Sequence, residues 1–71
     1  METDKWGRRI RAFRKLKGYT QEELAKNLKV SVSILGEIER GSRLPTDSFL
    51  NDVAGLLEIK VDELTPPEDK E

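Results

Sequence analysis

Apolar side chains recur at Trp6, Ile10, Phe13 and Leu16, spaced four, three and three, with arginines and lysines set between them. That spacing predicts a helix with one buried stripe, and Gly18 stands where a left-handed residue would end it. Thr20 and Glu23 then form a capping box that opens a second helix through QEELAKNL, buried through Leu24, Ala25 and Leu28. It ends near Leu28 and Lys29, before Val30. Ser31 caps a third helix that runs to Arg40, with Gly41 beyond its end. Leu35 and Ile38 are its core positions, yet Val32 and Ile34 are apolar away from that side and Gly36 interrupts the middle.

After the loop GSRLP, Thr46 caps a fourth helix with apolar positions Phe49, Leu50, Val53, Ala54, Leu56 and Leu57. Lys60 to Leu64 makes a last short turn of helix with Val61 and Leu64 inward. No strand-like alternation persists for more than four residues. The predicted fold class is therefore all-α: a compact bundle of five short helices. Its expected core is Ile10, Phe13, Leu16, Leu24, Ala25, Leu28, Val30, Leu35, Ile38, Leu44, Phe49, Leu50, Val53, Leu56, Leu57, Ile59, Val61 and Leu64. Residues 1–64 form the domain, and the charged, proline-containing residues 65–71, TPPEDKE, are expected to be a disordered tail. About three residues separate the second and third helices, so a steep crossing is expected, as in a helix-turn-helix spanning about 20–41.

A chain of 71 residues has room for one small core. It contains neither cysteine nor histidine, which removes disulfides, zinc-thiolate sites, imidazole ligands and histidine- or cysteine-based catalysis. An enzyme, a cofactor and a metal are not expected. No apolar run approaches the ~20 residues that span a membrane, and METDKWGRR has no apolar region of a signal peptide behind it, so a cytoplasmic protein is expected.

The net charge is only -1, which by itself speaks against a nucleic-acid partner. The distribution changes that picture. Residues 1–18 carry 7 basic and 2 acidic side chains, or +5, whereas residues 19–71 carry 6 basic and 12 acidic ones, or -6.

The run TQEELAKNLKVSVSILGEIERGSRLP resembles the helix-turn-helix of Cro and lambda-repressor-like regulators, the XRE family. The resemblance covers roughly residues 6–64 and includes GRRIRAFR, Ile-Glu-Arg-Gly, Pro45 and LLEIKVDEL. It implies a lambda-repressor-like bundle whose third helix lies in the major groove of double-stranded DNA. The protein would then be a sequence-specific transcriptional regulator of bacterial or phage type, most simply a repressor, bound to an operator as a homodimer. By the same resemblance, the dimer surface would come from the last helix and from the turns near Leu44, Leu56, Leu57 and Ile59.

With Leu24, Ala25, Leu28, Val30, Leu35 and Ile38 facing the core, the opposite face keeps Val32, Ser33, Ile34 and Glu37 as candidate base contacts. Val32 and Ile34 have two readings: contact with thymine methyl groups, or packing against the second helix. Gly36 likewise either admits a close backbone approach or is merely tolerated. Candidate DNA-backbone contacts are Gln21, which the family supplies as a phosphate clamp, with Ser31, Arg40, Ser42, Arg43 and, among the first-helix arginines Arg8, Arg9 and Arg11, Arg8. Arg14 and Glu39 occupy the family's buried ion-pair positions and are expected to be structural. Two departures stand out, because the family usually has glycine where Lys29 and Glu58 stand; either both turns are strained or their geometry differs. The rival reading is a protein-binding module that keeps the bundle but grips a partner protein through Val32, Ile34 and their apolar neighbours.

Overall fold

The computed structural model describes residues 3–66. Five helices follow one another: α1 (Thr3–Leu16), α2 (Gln21–Leu28), α3 (Val32–Arg40), α4 (Asp47–Leu57) and α5 (Val61–Leu64), with no strand among the described residues. The all-α expectation holds, with α1 starting three residues ahead of Trp6.

The starts of α2, α3 and α4 are made by the residues the sequence offers. The hydroxyls of Thr20, Ser31 and Thr46 accept from the amides of Glu23, Ile34 and Phe49, each at 3.1 Å. The Glu23 carboxylate returns the bond to the Thr20 amide at 2.9 Å, completing the capping box.

The ends of α1 to α4 repeat one pattern. The amide just past the helix bonds back three residues and the next one bonds back five: Gly18 to Lys15 and Tyr19 to Arg14, Lys29 to Lys26 and Val30 to Ala25, Gly41 to Ile38 and Ser42 to Glu37, Glu58 to Gly55 and Ile59 to Ala54. This is the Schellman motif, and it demands a left-handed residue at its hinge. Gly18 and Gly41 supply one freely, whereas Lys29 and Glu58 adopt φ of 62° and 59° despite their side chains. Of the two alternatives raised for these turns, the geometry is kept and the backbone carries the strain, about 1–2 kcal/mol per residue. Tyr19, Val30 and Ile59, next along the chain, pack back on the core.

The core is Ile10, Leu24, Ala25, Leu35, Ile38, Leu50, Val53, Ala54, Leu57 and Leu64, with Trp6, Phe13, Leu28, Val30, Phe49, Leu56 and Val61 at its edge. Two expected core residues lie outside it. Leu16 is 74% exposed, and helix geometry gives the reason. At about 100° per residue, the steps of three from Ile10 to Phe13 to Leu16 rotate the stripe by roughly 120°, out of the buried arc. That arc is centred on Gly7, Ile10 and Arg14, all buried. Leu44 is 62% exposed because the loop turns Pro45 inward instead.

Gly7 sets how near α1 comes to α3. A Cβ there would overlap the carbonyl oxygen of Ile38 and stand 2.6 Å from that of Glu39. Two residues on, α1 is tied to the C-terminal turn by Arg9, whose Nη1 donates to the Glu63 carbonyl at 3.0 Å. The folded unit also reaches past the boundary expected at 64. Thr65 donates to the carbonyls of Val61 and Asp62, and Pro66 is fully buried, so these two belong to the domain rather than to a tail. Residues 67–71 of the expected tail lie outside the described residues.

Candidate nucleic-acid interface

The outward face of α3 is built on helical periodicity. Ser33, Gly36, Glu37 and Arg40 stand at i, i+3, i+4 and i+7, so they share one stripe opposite Leu35 and Ile38. Ser33 and Arg40 are exposed, and the Glu37 side chain keeps 37% of its surface open. The stripe is bounded on both sides by residues expected to touch DNA. Gln21 lies against it near Gly36, its Nε2 3.9 Å from where a Gly36 Cβ would be. Arg43 lies against it at Glu37, with Nε 2.7 Å from Oε1. Gln21, Ser33 and Arg43 are therefore gathered on one side of the molecule.

Beneath Gln21 lies the ion pair that fixes α1 to α3. Arg14 Nε donates to Glu39 Oε2 at 2.7 Å and Nη2 to Oε1 at 3.1 Å, a forked geometry with both side chains more than nine-tenths buried. Arg14 Nη1 also holds the Tyr19 carbonyl at 2.9 Å. Glu39 Oε1 accepts a second bond, from Gln21 Nε2 at 3.0 Å. One N–H of the Gln21 amide is thus committed inward, and the other remains for an outside acceptor. No buried side-chain polar atom among the described residues lacks a partner, as a charged pair in a small core requires.

Gln21 also opens α2. Thr20 satisfies only the Glu23 amide there, and the N–H groups of Gln21 and Glu22 have no partner among the described residues. Free N–H groups and the positive end of a helix dipole favour an anion at that spot. A recess of about 620 Å³ lies in front of it, lined by Arg11 from α1, Thr20, Gln21 and Glu22 from α2, and Arg40 from α3. Arg14 and Glu39 also line it but neutralise each other. Neither Arg11 nor Arg40 has an ion-pair partner among the described residues, so two free cations face one unpaired acid, Glu22.

The remaining expected contacts fall in different places. Ser31 is exposed and spends its hydroxyl on the Ile34 amide as the cap of α3. Ser42 donates to the Glu37 carbonyl at 3.3 Å, and its side chain closes the loop that carries Arg43. Val32 is 41% exposed. Ile34 is half-buried and packed against the core, which makes it a packing residue first. Arg8 is exposed but does not line the recess; one turn further on, Arg11 does. Leu57, expected at the dimer surface, is 1% exposed and cannot serve there, whereas Leu56 and Ile59 remain partly open.

The helix-turn-helix family profile matches residues 10–64, and the chain belongs to that family. The chain is 68% identical over 68 residues to the uncharacterized HTH-type transcriptional regulator YazB of Bacillus subtilis (strain 168), a match covering 96% of this chain and 99% of YazB. It is 41% identical over 56 residues to the HTH-type transcriptional regulator SinR of the same strain, where the match takes 78% of this chain but only 50% of SinR. Among solved structures, the restriction-modification controller protein C.AhdI from Aeromonas hydrophila superposes with a TM-score of 0.85 at 34% identity, over 90% of this chain and 97% of the other. A crystal structure of SinR, the master regulator for biofilm formation, in complex with DNA superposes at 0.78 with 40% identity, over 83% and 95%. The lambda-repressor-like fold expected from the sequence is the fold found.

Proposed function

We propose that this protein is a sequence-specific DNA-binding transcriptional regulator that lays α3 in the major groove. The single observation carrying the reading is the outward stripe of α3, flanked on one side by the recess holding Gln21, Arg11 and Arg40 and on the other by Arg43. Cations and helix N–H groups beside an open polar helix face suit phosphates at a groove edge, and the helix then meets base edges. The relationship to SinR, which has been crystallised with DNA, supports it.

In this reading Ser33 and Glu37 meet bases, with Val32 against thymine methyl groups, and Gln21, Arg11, Arg40 and Arg43 hold phosphates. Arg14 and Glu39 keep α1, α2 and α3 in register. A homodimer on an inverted repeat, with Leu44, Leu56 and Ile59 as candidate contacts, and action in the cytoplasm on a repressed operator complete the proposal. The rival protein-binding surface loses an anchor, because Ile34 is spent on the core.

Selection of bound duplexes from a random pool, followed by anisotropy titration, tests the reading. A recovered consensus should bind far more tightly than random duplex. With three phosphates neutralised per protomer, by Arg11, Arg40 and Arg43, affinity should fall roughly 40-fold per protomer between about 50 and 200 mM salt. Recovery of no consensus, or binding indifferent to salt, would refute it.

A further inference from the structure

Gly36 sits in the middle of α3, on its outward stripe, and yet it is buried. The atoms nearest it are the ends of two polar side chains. A Cβ at this position would stand 3.0 Å from Nη1 of Arg40, 4.0 Å from its Cζ and 3.9 Å from Nε2 of Gln21. The guanidinium of Arg40, one turn further along α3, therefore lies over the bare backbone at Gly36 and beside the Gln21 amide. A Cβ at 3.0 Å is tighter than ordinary packing, so the guanidinium would have to give by a few tenths of an ångström. Arg40 is exposed and unpaired among the described residues, so it yields at little cost to the fold.

We propose that Gly36 is a positioning residue for anion binding: the missing side chain lets Arg40 fold back over α3, so that its guanidinium and the Gln21 amide converge on one phosphate in the recess that Arg11 also lines. The chemistry is complementary on each side. Gln21 has one N–H left after Glu39 Oε1 takes the other. Arg40 brings a charged fork suited to two phosphate oxygens. Glu22, also on the recess, opposes the anion and makes the exact placement of Arg40 matter more. Helix propensity alone favours alanine over glycine here, so stability does not explain the glycine. The proposal rests on the DNA-binding reading above and assigns one residue within it.

The test is a double-substitution cycle in the full chain with Gly36→Ala, Arg40→Ala and both together. The probe is a fluorescent random-sequence duplex of about 20 base pairs, long enough for two half-sites, since phosphate contacts carry no sequence information. Gly36→Ala should weaken binding about 3- to 10-fold and flatten the salt dependence by a little under one phosphate's worth. Its melting temperature should be unchanged or higher, by up to about 8 °C. In the Arg40→Ala background the same change should have almost no effect on binding. Three results would overturn the proposal while leaving DNA binding intact: wild-type affinity in Gly36→Ala, an equal loss in both backgrounds, or a loss accompanied by a lower melting temperature. A wild-type chain that binds no duplex would instead overturn the DNA-binding reading, and this proposal with it.

Discussion

The carboxylate of Glu37 holds Nε of Arg43 at 2.7 Å, so the acid on the outward stripe of α3 is paired with the first cation beyond that helix. Both side chains are well exposed, which limits the pair's contribution to stability to under about 1 kcal/mol. Its consequence lies in binding. Arg43 is partly neutralised until a phosphate competes for it, and Glu37 repels the backbone unless it finds a base donor. Glu37→Gln should therefore raise affinity for random duplex severalfold and steepen its salt dependence, while narrowing the gap between consensus and random sites. Anisotropy titrations with both duplexes check this; unchanged random-duplex affinity would contradict it.

Breaking the other ion pair should act on folding. Arg14→Ala leaves Glu39 buried with only the Gln21 amide, at a cost on the order of 3–5 kcal/mol. At about 4–8 °C per kcal/mol for a domain of this size, the melting midpoint by circular dichroism should drop by more than about 12 °C. Replacing both partners with Met and Leu should recover much of the loss, since no orphaned charge remains.

Two glycines inside helices, Gly7 and Gly55, should respond to alanine in opposite ways. At Gly7 the methyl meets the carbonyls of Ile38 and Glu39, which are backbone and cannot step aside, so Gly7→Ala should destabilise by about 3 kcal/mol. At Gly55 nothing lies within 4 Å, and alanine should stabilise by up to about 1 kcal/mol. Urea denaturation of the two variants gives both signs in one experiment.

Lys29 and Glu58 should each gain from glycine. Relief of a left-handed conformation is worth about 1–2 kcal/mol, and the added freedom of the unfolded chain takes back about 0.5–1 kcal/mol. Lys29→Gly and Glu58→Gly should each raise the unfolding free energy by roughly 0.5–1 kcal/mol, measured from denaturant midpoints at constant slope. A loss would show that these turns carry no strain.

Helix boundaries and caps were legible because they depend on local chemistry: Thr20, Ser31, Thr46, Gly18 and Gly41 work within a few residues of where they stand. What could not be read depends on neighbours distant in sequence. Leu16 follows the spacing of a buried stripe, but the true arc on α1 runs through Gly7, Ile10 and Arg14, two of which are not hydrophobic residues. Arg8 and Arg11 look alike as letters, and only the approach of α1 to α2 and α3 brings Arg11 to the recess. Gly36 offered a choice between two readings, and the structure supplied a third through Arg40, four residues away on the same helix. The i, i+4 spacing of Gly36 and Arg40 was the available signal.

Amide chemical shifts in a titration with the selected duplex test most directly whether α3 and its flanking cations meet DNA. The largest changes should fall on Gln21 and Glu22, on Val32 to Glu37, and on Arg40 to Arg43, with α4 and α5 little affected. Changes concentrated around Leu16 or on α4, with the amides of α3 unmoved, would contradict it.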